Sequence, residues 1–313
     1  MISRTAPTPD LVQAALAGRR FRLVDSLLAG GLLLSLFSSL LVLITLLADT
    51  LRTAAPVFAD RGLVFVTAPL SADPAKAGVL QGIQGSLALT LFVMLIGFPL
   101  GVSAAIYLEE YATDGGFTRF ITANVRNLAG VPSVVYGILG LALFVNLAGG
   151  LTNGRTIVSG GLTLTVLVLP IMIITTSEAL RSVPATVREA SYGVGATKWE
   201  TIRHHVLPIA LPTILTGTVL TVARAFGESA PLLLAGALVT NFFQPSADAS
   251  VVQLITDERY TALPLVVFNW ARQPQEEFVQ LTAAAVVVLL VLLVSVNATT
   301  ILLRDRFEMK SLR

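Results

Sequence analysis

Two ionisable residues, Arg224 and Glu228, stand inside the long apolar run LPTILTGTVLTVARAFGESAPLLLAGAL. At i and i+4 they share one face of a helix. A charge at the centre of a bilayer costs about 2.5–3.5 kcal/mol on insertion scales, so such residues face protein or a water-filled path. One chemistry is a self-satisfied ion pair that pins helices together. Another is anion guidance, in which the planar fork of guanidinium donors meets an oxyanion and the carboxylate balances the charge when the path is empty. An intramembrane Arg and Glu can also run proton coupling in a carrier. Catalysis finds no support, because the chain has no Cys, Ser229 has no His near it in sequence, and no paired aspartates or His-rich metal site fall within the spans. His204 and His205 are adjacent, about 100° apart on a helix, and cannot chelate one metal.

The elements that must hold these residues are hydrophobic throughout. Of 313 residues, 54% are hydrophobic and only 13% charged, with a mean hydropathy of +0.80; a soluble domain carries about twice that charge. The apolar residues gather into six runs, at 26–48, 82–108, 127–147, 158–179, 209–238 and 281–303. Each approaches the length of about 20 residues that a helix needs to cross the hydrocarbon. The fold class is therefore an all-α polytopic membrane protein with six transmembrane helices. Its segments are an N-terminal stretch 1–25, a first helix 26–48, an extracytoplasmic loop 49–81, a membrane domain 82–303 and a tail 304–313. The first run reads as a retained helix, since it is too long for a signal-peptide core and is followed by TLRTAAPVFADRG instead of a small-residue cleavage site. Most of the 21 Lys and Arg residues lie before the first run, after the second, after the fourth and after the last. The positive-inside rule then puts both termini in the cytoplasm. A formal charge of +2 is too small a surplus to argue for a nucleic-acid partner.

One cytoplasmic loop has readable structure. In residues 184–208, Pro184 suits a first helical turn, and Val187, Ala190 and Val194 fall at i, i+3 and i+7 on one apolar face. Gly193 and Gly195 stop that helix. Thr197 and Glu200 form a capping box that opens a second, along which Trp199, Ile202 and Val206 share a face. The segment is either a compact elbow or a linker lying on the membrane surface. Three smaller expectations accompany it. Glu178 and Arg181 form a surface pair, Pro132, Ser133, Tyr136 and Gly137 make either a kinked polar wall or a helix-packing surface, and Glu276 and Glu277, outside the membrane, are either solvated or a docking point for another protein.

The run Glu189, Ala190, Ser191, three residues, Gly195, and then Leu207 and Pro208 resembles the EAA loop of ATP-binding-cassette importer permeases of the type I, MetI-like fold. Two positions depart from the family pattern: Ser191 replaces the last Ala, and His205 replaces an Ile. NLAGVPSVVYGILGLALFV, residues 127–145, and RAFGESAPLLLAGAL, residues 224–238, resemble phosphate permeases of the Pst system. VFNWARQPQEEF, residues 267–278, is similar to the PstA-type subunit in particular. The resemblance implies that this chain forms half of a phosphate pathway. It also implies that Glu189, Ala190, Ser191, Gly195, Leu207 and Pro208 couple that half to a separate ATPase. In agreement, no GxxxxGK[ST] phosphate loop occurs in the chain. The implied chain is no enzyme and binds no cofactor, ATP and Mg belonging to the partner. The implied partners are a PstC-type permease subunit, a PstB-type ATPase dimer, a PstS-type phosphate-binding protein and the lipid of a prokaryotic plasma membrane. Within the pathway, Arg224 and Glu228 would meet the anion's charge, beside a wall of Pro132, Ser133 and Tyr136. The alternatives are a type I permease for another oxyanion or small solute, and a proton-coupled secondary transporter that would have no use for the elbow.

Overall fold

The computed structural model describes residues 23–237 and 260–311, and every regular element among them is a helix. The chain divides into two compact units, residues 1–52 and 53–313. The first unit carries most of α1 (Leu23–Arg61), which has no charged residue between Asp25 and Asp49. A helix apolar on all sides is the pattern of a span, not of a surface element. It passes residue 48 and Pro56 unbroken, so the segment expected as a loop from residue 49 begins as helix.

The second unit holds α2 (Leu80–Tyr111), α3 (Gly116–Ala129), α4 (Ser133–Leu147), α5 (Ile157–Arg181), α6 (Ala185–Gly193), α7 (Lys198–Thr201), α8 (Leu207–Gly227), α9 (Ala230–Leu234), α10 (Leu263–Trp270) and α11 (Glu277–Ser311). Five helices among the described residues are long and apolar enough to cross a membrane, or six if one strongly bent pair counts as a span. The chain is a multi-pass membrane protein.

At the centre of this unit is α5, packed by α2, α3, α4 and α8. Its sequence IVSGGLTLTVLVLP supplies the small residues that let membrane helices approach closely. Two of its buried hydroxyls return to backbone, Ser159 Oγ donating to the Thr156 carbonyl at 2.9 Å and Thr163 Oγ1 to the Ser159 carbonyl at 2.7 Å, whereas buried Thr165 Oγ1 finds no partner among the described residues. Prolines shape α2 and the entry to α8. Pro99 and Pro208 each follow a π-helical turn, Val93–Gly97 and Ile202–Val206. A widened turn accommodates a residue that lacks an amide donor and crowds the preceding carbonyl.

Two of the six expected spans are not single helices. The run 127–147 breaks at Gly130–Pro132, and α3 meets α4 at 103°. Proline drives its predecessor out of the helical region, and the chain turns there. The run 209–238 stops at Gly227, where Glu228 adopts extended backbone (φ −78°, ψ 121°). Pro231 forces the break, because a continuous helix would drive its ring into the Gly227 carbonyl. Residues 238–259 lie outside the described residues. α10 was not anticipated; its first turn is tied to α2 by the Ser86 hydroxyl, which accepts from the Leu263 amide at 2.8 Å and satisfies an orphan N-terminal donor.

Three buried apolar clusters hold the unit. Phe65, Trp270, Phe278 and Leu281 gather the segment after α1 against α10 and α11. Leu89, Leu164, Val168 and Leu232 join α2, α5 and α9. Ala105, Leu180, Val183, Val206 and Ile214 pack the elbow end of α2, α5 and α8.

Candidate functional site

Residues 184–208 fold as an elbow of two short helices, and its shape follows from a few local devices. Pro184 is the N-cap of α6 and not its first turn (φ −57°, ψ 141°). At the other end Gly195 has φ +87°, with its amide donating to the Tyr192 carbonyl at 2.9 Å while the Ala196 amide donates to Ser191 at 3.2 Å. These are the paired bonds of a Schellman motif, whose left-handed residue is glycine because a Cβ is penalised there. Thr197 and Glu200 close the expected capping box, the Thr197 amide donating to Glu200 Oε2 at 2.8 Å and the Glu200 amide to Thr197 Oγ1 at 3.3 Å.

Across the bend, Ser191 and Thr201 are both buried and their hydroxyls lie 2.9 Å apart. The departure from Ala at 191 therefore supplies a strut between the two helices. Val187 and Val206 pack into the cluster on α2, α5 and α8, and Ile202 is fully buried. The remaining apolar residues do not follow the expected faces: Ala190 is exposed, as are Val194 (86%), Trp199 (53%) and Tyr192. The bend at Gly195 ends the α6 period before it reaches Val194, and the π turn at 202–206 shifts the register after Trp199. The outcome is an apolar knob of Tyr192, Val194 and Trp199 on the outside of the elbow, beside exposed Glu189.

Five charged residues that the sequence did not assign to this site, Glu109, Glu110, Arg181, Arg188 and Lys198, tie together the ends of α2 and α5 and the elbow. Arg181 reaches Glu109 in a bidentate pair, Nε and Nη2 donating at 2.6 and 2.8 Å, and so does not form the expected pair with Glu178. Arg188 of α6 donates from Nη2 to Glu110 Oε1 at 2.7 Å, from Nη1 to the Val183 carbonyl at 2.8 Å and from Nη2 to the Leu180 carbonyl at 3.0 Å. The Glu110 and Arg188 side chains are 6% and 21% exposed. Lys198 stands 5.1 Å over the Tyr111 ring. A signal was present in YLEEY, because two adjacent acids at a membrane exit rich in bases need basic partners.

The residues expected to line a pathway lie elsewhere. Glu228 sits just past the end of α8, so the pair with Arg224 is not the helical i,i+4 contact expected; Arg224 Nε donates to Glu228 Oε1 at 3.4 Å. Their side chains are 40% and 19% exposed. Arg224 Nη1 and Nη2 make no hydrogen bond among the described residues, which leaves a donor fork unspent. Of the expected wall, Pro132 is exposed, Ser133 is half-buried and Tyr136 is buried, its hydroxyl donating to the Leu128 carbonyl at 2.8 Å. That bond caps the last turn of α3 and braces the bend. Gly137 completes the junction with α9, where a Cβ would come within 2.7 Å of Pro231 Cα. Tyr136 shares one buried cluster with Ala225, the neighbour of Arg224, and with Leu232 of α9, so these elements converge on one region.

Comparison with known proteins gives a consistent result. Residues 97–308 match the family described as binding-protein-dependent transport system inner membrane component. The chain is 35% identical over 240 residues, 75% of its length and 81% of the relative's, to the probable ABC transporter permease protein YqgI of Bacillus subtilis (strain 168). It is 35% identical over 237 residues, 74% of its length and 77% of the relative's, to the phosphate transport system permease protein PstA of Xylella fastidiosa (strain 9a5c). Among solved structures it resembles a chain of the inward-facing MetNI methionine ABC transporter, with TM-score 0.56 and 18% identity, covering 76% of this chain and 99% of that one. It also resembles a chain of the bacterial alginate ABC transporter in complex with a pentasaccharide-bound periplasmic protein, with TM-score 0.60 and 15% identity, covering 88% and 93%. At these identities the two structures speak to fold alone.

Proposed function

Because the chain belongs to the family of binding-protein-dependent transport system inner membrane components and has the type I, MetI-like permease fold, we propose that it is the PstA-type permease subunit of an ATP-driven phosphate importer. It is a transport component and not an enzyme, and its ATPase and binding protein are partner chains. The full assembly pairs it with a PstC-type permease, a PstB-type ATPase dimer and a PstS-type phosphate-binding protein in a prokaryotic plasma membrane, both termini cytoplasmic. This chain binds no cofactor; ATP and Mg act on the ATPase.

The observation that carries the reading is the elbow. It is stiffened by two helix caps and a buried hydroxyl strut, continues through Leu207 and Pro208 into α8, and presents Tyr192, Val194 and Trp199 outward beside Glu189. An apolar knob on a rigid stem is what a groove on an ATPase can grip and displace. The phosphate-loaded binding protein docks outside, ATP closes the nucleotide subunits, and Glu189, Ala190, Ser191 and Gly195 carry that closure to the spans. The pathway opens outward, receives phosphate, and resets on hydrolysis. Arg224 meets the anion transiently with Glu228 as counter-charge, and Pro132, Ser133 and Tyr136 stand at the wall. High affinity belongs to the binding protein, since a site in a pathway must also release its cargo.

The test is uptake by the assembled complex. Glu189→Lys and Gly195→Arg abolish phosphate uptake with the protein still in the membrane, and Val194→Cys forms a disulfide with a cysteine placed in the ATPase groove. Normal uptake with ATPase retained at wild-type yield would overturn the coupling assignment. Competition by sulfate as effective as that by unlabelled phosphate would overturn the solute assignment.

A further inference from the structure

We propose that the buried Glu110–Arg188 pair is the joint that makes α2 move with the elbow, so that the elbow, α2 and α5 travel as one body during transport. This rests on the coupling role assigned above. The elbow is joined by chain only to α5, through Ser182–Pro184, and to α8, through the π turn 202–206. α2 is distant in sequence, so displacement of the elbow reaches it only through packing and polar contacts between side chains.

Arg188 is built for that connection. Its guanidinium holds three groups at once: the Glu110 carboxylate at the end of α2, and the Leu180 and Val183 carbonyls at the end of α5 and its exit turn. The Leu180 carbonyl has no i+4 amide to accept from, because Pro184 lacks one, and keeps a 3.3 Å bond from the Val183 amide, so the arginine completes the cap of α5 while it grips α2. The fork divides the three acceptors between two nitrogens, Nη1 and Nη2, in a fixed plane; a lysine would have to serve all three from a single nitrogen. The turn Tyr107–Tyr111 is π-helical, and its wider circuit splays successive side chains by less than an α-turn does. Adjacent Glu109 and Glu110 therefore both reach partners, Arg181 on α5 and Arg188 on α6. Stability alone does not account for the pair, because a buried ion pair is commonly replaced by apolar residues without loss of stability. Its geometry instead links three elements at the place where force enters.

The chain has no cysteine, which allows spin labels to be placed without background changes. In the complete reconstituted complex, labels at Thr113→Cys, just after α2, and Thr186→Cys, on α6, keep one separation in the nucleotide-free and ATP-bound states. In the background Glu110→Met, Arg188→Met, which removes both charges together and leaves neither unpaired, that separation becomes state-dependent. Phosphate moved per ATP then falls about tenfold, within the range by which mutations along a coupled network change coupling, at unchanged thermal midpoint. Arg188→Lys gives an intermediate ratio. A wild-type separation that changes with nucleotide would overturn the joint, as would a double variant with normal phosphate per ATP. If Val194→Cys fails to cross-link the ATPase, the coupling assignment itself falls; if it cross-links while the separation varies, only the joint does.

Discussion

Gly195 sets the shape of the elbow through a single backbone angle. At φ +87° an L-residue places its Cβ against the following carbonyl, at about 1–2 kcal/mol, while no atom lies within 4 Å of where that Cβ would stand. Strain and crowding are therefore separable here. Gly195→Ala lowers the thermal midpoint of the purified complex, followed by tryptophan fluorescence, and keeps partial uptake; the bulky Gly195→Arg loses uptake altogether. An unchanged midpoint for Gly195→Ala would mean that the helix end does not depend on the left-handed residue. Ser191→Ala is milder, at about 1 kcal/mol for one hydrogen bond, because Thr201 Oγ1 keeps its bond to the Thr197 carbonyl at 3.0 Å. Ser191→Ala should thus fall between wild type and Gly195→Ala in the same melt, and a larger drop would make the strut the principal brace of the bend. Gly195, Thr197 and Glu200 were legible in the sequence because helix ends are written in neighbouring residues. The Glu110–Arg188 pair was not, since 78 positions separate its members and no periodicity spans that distance. Val194 and Trp199 do not share the burial of the residues that their spacing groups them with, because a helical period does not carry across a bend or into a π turn that the sequence does not announce.

At the scale of elements, the bend between α3 and α4 has the clearest consequence. With α4 as a span, 103° lays α3 nearly in the plane of the membrane. Its residues divide accordingly. Phe117, Phe120 and Leu128 are exposed on one side of the helix, and Arg119 and Arg126, seven positions apart and so on one line, face away from Phe117 and Leu128. That is the pattern of an interfacial helix with its apolar side in the headgroup boundary. Nitroxides at Phe117→Cys, Phe120→Cys and Leu128→Cys should be reached by oxygen and shielded from a water-soluble nickel chelate, with the reverse at Arg119→Cys and Arg126→Cys. Shielding of the first three from both quenchers would mean that a protein surface covers them instead. Apolar run length made the number of spans legible. The angle at Gly130–Pro132 and the stop before Pro231 are set by backbone sterics that hydropathy does not weigh, and for this reason the third and fifth runs appeared straight.

For the whole molecule, the question is what this chain contributes to a pathway it forms only half of. The break at Gly227 changes the expected contest between Arg224 and Glu228. On one continuous helix the two would face each other as a fixed pair; past the helix end, Glu228 accepts a single 3.4 Å bond from Nε, and the outer guanidinium nitrogens stay unspent among the described residues. A pair this long and this exposed contributes about 0–1 kcal/mol, too little to explain keeping a charge in an apolar run. The role proposed above, an anion met by the open side of the fork, is the alternative to a self-neutralised pair. Phosphate uptake in cells lacking every other phosphate importer decides between them, comparing wild type with Arg224→Gln and with the double variant Arg224→Gln, Glu228→Gln at matched membrane level and complex assembly. The geometry predicts loss in both, because removing Glu228 restores no donor for the oxyanion, and it predicts that Glu228→Gln alone retains most uptake with weaker discrimination against neutral solutes. Loss in Arg224→Gln with recovery in the double variant would make self-neutralisation the function of the pair, and the anion contact would then lie with other residues of the two halves.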